Sequence, residues 1–275
     1  MTAALANGRI RTAGAGGLAA LAVLGVVTAA WLIGDAGMRA DFPARLLPPQ
    51  AAHPFGTDHM GRDNLARTLH GLTLSLQIGF LAATISTLIA LLAAVIAGWG
   101  RWCDALIGGL TDVMLAMPHL LLLLMICFAL GGGTQAVIIA VALSHWPRLA
   151  RILRAELMQI MAAPWIEVSA GLGRSRLFIL RHHVLPHLMP QVMVGFLLMF
   201  PHAILHEAGL TFLGFGLEPS RPAIGVMLSD SMRHLVAGRW WLALFPGAAL
   251  LALVLCFEML GGGLRRLTDP REARL

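Results

Sequence analysis

His202 and His206 stand four residues apart in an otherwise apolar stretch, a spacing that sets both imidazoles on one helix face. Neutral imidazole ligates nickel, zinc and copper, which makes the pair a candidate contact for a transition metal. The plainer reading has each histidine bonded to a helix carbonyl. His206-Glu207 opens the HExxH pattern of an intramembrane metalloprotease, but Leu210 stands where the second histidine is needed. Asp112, His119, His145, Glu207 and Glu258 also lie within apolar runs, where ionisable groups are costly enough to be functional candidates. Asp112, Glu207 and Glu258 could serve a proton- or sodium-coupled transporter as a relay. Gly-x-Ser-x-Gly does not occur, so no nucleophile elbow is present. Lysine is absent altogether, which removes a P-loop: if ATP drives this protein, another chain hydrolyses it.

Two further segments are too polar to be passive. In His53 to Gly79, Asp58 with Arg62 and Asp63 with Arg67 each place an acid four residues before an arginine, the favourable order for helix ion pairs. Taken alone, the segment reads as a solvated amphipathic lead-in to an apolar helix. Arg148 to Pro186 carries six arginines and two glutamates. Within it, Trp165 to Pro186 reads as a short helix holding Glu167, a break at Gly171 and Gly173, and a second helix stopped by Pro186. A soluble partner could grip such a helix-turn-helix; a basic loop resting on anionic lipid is the alternative.

The elements that must position these residues are membrane helices. Apolar residues make up 58% of the 275 and charged residues 12%, about half the share in a soluble domain. Runs long enough to cross about 30 Å of hydrocarbon cover 13–34, 72–98, 105–130, 187–212 and 241–261, and a shorter sixth covers 134–147. The first could be a signal peptide, but 22 uncharged residues favour an anchor helix. With the N-terminus inside, thirteen arginines fall on the cytoplasmic side against seven outside, which obeys the positive-inside rule and sets both termini in the cytoplasm. The basic excess follows topology and anionic lipid, so nucleic acid is not expected as a partner. Cys103, Cys127 and Cys256 lie in or beside apolar stretches and imply no disulfide framework. The expected fold is all-α: a tail 1–12, an anchor helix 13–34, an external segment 35–71, a membrane domain 72–264 containing the cytoplasmic loop 148–186, and a tail 265–275.

With these motifs in view, the chain resembles the inner-membrane permease subunits of ABC importers for dipeptides, oligopeptides and nickel. His53, Pro54, Gly56, Thr57, Asp58, Gly61, Arg62 and Asp63 match the family's HPxGTDxxGRD-type opening. Trp165 to Pro186 resembles the EAA coupling loop, with Glu167 as the acid, Gly173 as the glycine and Leu185-Pro186 as the closing pair. The likeness continues through Glu207-Ala208, Phe212-Leu213-Gly214, Gly225 to Leu228, Phe245-Pro246-Gly247 and Asp269-Pro270-Arg271. Val168 and Ser169 replace the two alanines of EAA, Thr73 a common arginine and Ile224 a tryptophan. Glu258, Gly262 and Arg266 stand where Asn, Asp and Asp are usual. The stretch His202 to Gly214 and Ser144-His145-Trp146 are most similar to the nickel permeases of C type.

The resemblance implies a non-catalytic permease forming half of a path for nickel or a nickel chelate, or alternatively for di- or oligopeptides. It implies a sister permease, two ATPase subunits that bind ATP and magnesium, an extracytoplasmic binding protein, and a bacterial inner membrane. No cofactor is expected on this chain. Glu167, Ser169, Gly171, Gly173, Leu185 and Pro186 are the expected coupling residues, His202 and His206 the expected contacts with a metal cargo. Glu207, shared with the peptide members, is expected to pair inside the bundle.

Overall fold

A computed structural model describes the backbone of residues 2–268 and side chains over 14–266. Arg9, Arg11 and the motif at Asp269 to Arg271 therefore lie outside the described side chains. The described residues form helices joined by turns, without a β-strand. The long helices are α1 (Thr2–Ile33), α2 (Asn64–Ala97), α5 (Gly133–Met161), α8 (Leu185–Phe212) and α10 (Trp241–Thr268). Between them lie α3 (Arg101–Ala116), α4 (His119–Ala129), α6 (Pro164–Gly171), α7 (Arg176–Ile179) and α9 (Ile224–Leu235). Among the described residues, five helices, counting α7 as continuous with α8, are long and apolar enough to cross a membrane, or six spans if α3 and α4 make one together.

The third expected run is not straight. α3 and α4 meet at 98° across Met117 and Pro118. Pro118 holds Met117 extended, at φ −78° and ψ 141°, and supplies no backbone N–H, so the first helix must stop. At 16 and 11 residues, or about 24 and 16 Å, neither piece crosses the hydrocarbon alone. By contrast, α5 runs on past Pro147, Arg148 and Arg151 to Met161, so its final turns extend beyond the apolar run.

α2, α5 and α8 form the centre. Small residues let α2 approach its neighbours: Ala82, Ala83, Ala90 and Ala94 are fully buried, packed against residues such as Val137 and Leu153 of α5 and Ile204 of α8. In lipid, where apolar surface gains little from contact with apolar surface, such close backbone approach supplies the packing energy. Outward, Leu88, Leu92, Leu106, Leu251 and Leu255 are exposed, as helices bathed in acyl chains require.

Candidate functional site

Three constructions hold the residues singled out by sequence. The first is a folded knot before α2. Asp58 is 3% exposed and Arg67 2%, so the segment is packed into the protein rather than a solvated lead-in. Asp58 accepts from the backbone N–H groups of Met60 (2.8 Å) and Arg62 (2.9 Å) and from Arg62 Nε (2.7 Å), and it pairs with Arg67. Burial pushes the Asp58 carboxyl up; Arg67, the Arg62 N–H and the Arg62 guanidinium outweigh it and hold it below the usual carboxylate range. The expected Asp63–Arg67 pair does not form. Asp63 caps α2 by accepting from the Ala66 N–H at 3.0 Å and meets His53 Nδ1 at 2.7 Å. Asp58 is therefore the hub, because the turn at Gly61 folds it back onto the first turns of α2. Gly61 has φ +78°, and a Cβ there would run into the Asp41 carbonyl. Thr57, fully buried, accepts from the Leu47 N–H at 2.8 Å, and Gly56 lies against Leu47 and Trp241.

The second construction is an arm formed by the end of α5, α6 and α7. Glu167 is exposed on α6, while Ser169 on the same helix is buried and its hydroxyl meets His183 Nε2 at 3.3 Å. α6 includes Gly171 and ends at Leu172; the chain reverses at Gly173, φ +78°, whose N–H donates to the Ala170 carbonyl at 2.9 Å. Of the two expected breaking glycines, only Gly173 makes the turn. Ser175 then caps α7, accepting from the Phe178 N–H at 3.2 Å.

Pro186 does not stop the second helix. The chain is helical from Arg176 to Phe212, with a π turn over Leu180–Val184 and Leu185 donating to the Leu180 carbonyl. Proline cannot donate to the carbonyl four residues back and crowds it; the wider turn just before Pro186 accommodates both effects without breaking the helix. A small core of Leu157, Ile160, Ile166, Ile179, Val184 and Leu188 binds α5, α6 and α8 into one body. Arg154 grips Asp104, and Arg151 pairs with Asp112, which tie α5 to α3. Asp112 is exposed in that pair, not a buried relay group.

The third construction lies between α4, α5 and α8. The rings of His119, His145 and His206 stand with centroids 4.7, 4.8 and 5.1 Å apart, each pair inclined edge to face. One nitrogen from each lies within 4.8 Å of the others. His202 is not among them. It is exposed, and its ring N–H donates to the Leu198 carbonyl of its own helix at 3.1 Å. Spacing alone singled out His202 with His206, whereas the helix packing replaces His202 by His119 and His145. Glu207 turns the other way, fully buried, and accepts from Ser75 Oγ of α2 at 2.6 Å and from Thr211 Oγ1 at 3.1 Å. Glu258 is exposed on α10.

Glu207 is bonded to hydroxyls and Asp112 to Arg151, so among the described residues neither is bonded to the other or to Glu258. The arm, the knot and the imidazoles sit on one bundle of helices.

Comparisons with known proteins agree on what this bundle is. Residues 86–273 match the family described as the binding-protein-dependent transport system inner membrane component. The chain is 40% identical over 228 residues, 82% of its length and 75% of the relative's, to the dipeptide transport system permease protein DppC of Alkalihalophilus pseudofirmus. It is 34% identical over 83% of its length, and 72% of the relative's, to the protein of that name in Bacillus subtilis. A putative peptide transport system permease of Brucella suis is 35% identical over 91% of the chain and 84% of its own. In fold it is similar to the inward-facing MetNI methionine ABC transporter, TM-score 0.60, at 19% identity over 74% of this chain and 97% of that one. A solved amino acid ABC transporter is also similar, TM-score 0.56, at 20% identity over 76% and 94%. The chain therefore belongs to the binding-protein-dependent inner-membrane components, as an ABC importer permease of the di- and oligopeptide group.

Proposed function

We propose that this chain forms half of a path for di- or oligopeptides through a bacterial inner membrane. It would pair with a sister permease, above two ATPase subunits that bind ATP and magnesium and beneath a substrate-binding protein. The observation that carries the cargo is the 40% identity to a permease named for dipeptide transport. In this reading both termini and the 148–186 arm face the cytoplasm, and the knot around Asp58 faces outside. Exposed Glu167 and the reversal at Gly173 present the arm to an ATPase subunit. Because one apolar core joins α6 to α5 and α8, motion imposed on α6 passes to those two helices as a rigid displacement. The pairing of Glu207 with Ser75 and Thr211 is structural, bracing α8 against α2.

A second cargo reading, nickel or a nickel chelate, is favoured by the half-buried imidazoles of His119, His145 and His206. Uptake of a labelled dipeptide and of radioactive nickel, measured in the same cells with and without this gene, separates the two. Loss of dipeptide uptake alone supports the peptide reading; loss of nickel uptake alone overturns it in favour of the metal. Transport that persists after removal of the ATPase subunits would contradict both and restore an ion-coupled carrier.

A further inference from the structure

We infer that His119, His145 and His206, brought together from three helices, form a coordination site for a first-row transition metal with one position left for an anionic ligand. The inference concerns metal binding by this chain and stands whatever the cargo; a role on the transport path rests on the reading above.

The geometry is close to what a metal needs. Nitrogens around a four-coordinate ion at about 2.1 Å stand about 3.4 Å apart. The three here lie within 4.8 Å, so each has to move inward by less than about 1 Å, a distance that small rotations of the rings supply. The helices carrying them are fixed close by. Leu123 of α4, Val141 of α5 and Ala203 and Leu210 of α8, each about one turn from a histidine, all lie in one buried cluster. The site therefore does not depend on loop order.

Ligand chemistry points the same way. A carbonyl oxygen only accepts, so the contact of His145 Nδ1 with the Val141 carbonyl at 2.9 Å places the proton on Nδ1 and leaves the Nε2 lone pair free. Metal-binding histidines are typically oriented by such a bond. Among the described residues, the imidazoles of His119 and His206 have ring contacts but no hydrogen-bond partner. That leaves their nitrogens available as donors. Three imidazoles suit nickel, copper, zinc or cobalt and not the hard ions magnesium and calcium.

The fourth ligand follows from charge. The cluster contains no carboxylate, and Glu207, next to His206, is committed to Ser75 and Thr211. A divalent ion on three neutral ligands keeps its full charge in an apolar bundle, and Arg148 lies one turn from His145 on α5. An anionic group, such as the carboxylate of an amino acid or short peptide, would offset that charge and fill the open position.

Cobalt(II) tests the site, because four-coordinate cobalt absorbs visibly where hydrated cobalt hardly does. The untagged full chain in detergent should bind cobalt with this signature, and the band should shift on adding glycylglycine. H119A, H145A and H206A should each weaken cobalt binding at least about tenfold, since loss even of an outer partner of a ligand costs 10–100-fold. H202A should bind like the wild type. Each variant's unfolding temperature is measured alongside, and the conservative H119Q and H206Q are used where an alanine variant unfolds. Cobalt binding that survives all three substitutions, or that falls equally in H202A, overturns the site. Failure of dipeptide uptake with cobalt binding intact overturns the cargo reading and leaves the site standing; the reverse result does the opposite.

Discussion

At the scale of single residues, the knot before α2 is centred on the buried ion pair of Asp58 and Arg67. Asp58 compensates Arg67, which is 2% exposed, so D58N leaves a guanidinium buried beside a neutral amide. Breaking a buried pair from one side costs about 3–5 kcal/mol, and D58N should lower the thermal unfolding midpoint accordingly. The pH dependence has a definite sign. The folded-state value for Asp58 lies below its ordinary 3.8, so the stabilisation is present above 3.8 and is lost as pH falls through the depressed value. An acid titration of unfolding should show a step below about pH 4 in the wild type that is missing in D58N. Glu207 differs, because its partners are hydroxyls. E207Q keeps an acceptor and should retain ATP-driven uptake. E207A leaves Ser75 and Thr211 without their acceptor and should lose about 1–3 kcal/mol of stability. Loss of uptake in a stable E207Q would instead mark the carboxylate as part of a relay.

Among the elements, the coupling role proposed for the arm rests on a local backbone requirement. At φ +78°, Gly173 sits where a side chain costs about 1–2 kcal/mol, and a β-branched one more. G173V should therefore distort the reversal between α6 and α7, while G173N, which tolerates the left-handed region, should be milder. E167K tests the other property of the arm, its exposed acid, because reversing a charge at a docking surface can cost several kcal/mol. G173V and E167K should both insert and fold, yet hydrolyse ATP in the assembled importer without matching uptake. Normal uptake with normal substrate-stimulated hydrolysis in both would remove the arm from coupling. The π turn before Pro186 belongs at this scale too: it lets α7 run into the membrane helix α8 without a break, and Ile166 packs α6 into a core shared with Ile179 and Leu188 of that continuous helix.

For the whole molecule the decisive property is orientation. With the native cysteines removed, a single cysteine at position 176 should label with an impermeant reagent only after the cytoplasmic face is opened. One at position 59 should label in cells whose outer barrier is permeable. His59 is suitable because it is only half-buried and lies in the knot. Labelling of position 176 from outside would invert the topology and, with it, the assignment of the arm to the ATPase side. The arginine balance that predicts this orientation acts on the whole chain, and no single residue decides it.

Some of this protein was written in its linear order and some was not. Membrane spans were legible because burying a backbone in hydrocarbon demands about 20 apolar residues in a row, which composition displays directly. The reversal at Gly173 was legible because few other residues adopt its backbone conformation cheaply. Elsewhere local rules met a competing tertiary effect. The spacing of Asp63 and Arg67 suits a helix pair, but a folded turn offers Arg67 the better-buried partner Asp58, and desolvated charges choose partners by three-dimensional reach. Pro186 reads as a stop, yet packing holds the helix together through a π turn. The bend at Pro118 was visible only as a proline, since membrane helices often pass through proline nearly straight. The imidazole cluster shows the limit most clearly: His119, His145 and His206 are separated by 26 and 61 positions, and only the packing of α4, α5 and α8 brings them within 4.8 Å. Sequence spacing reports neighbours along one helix; contacts between helices are decided by which faces pack, and that requires the whole bundle.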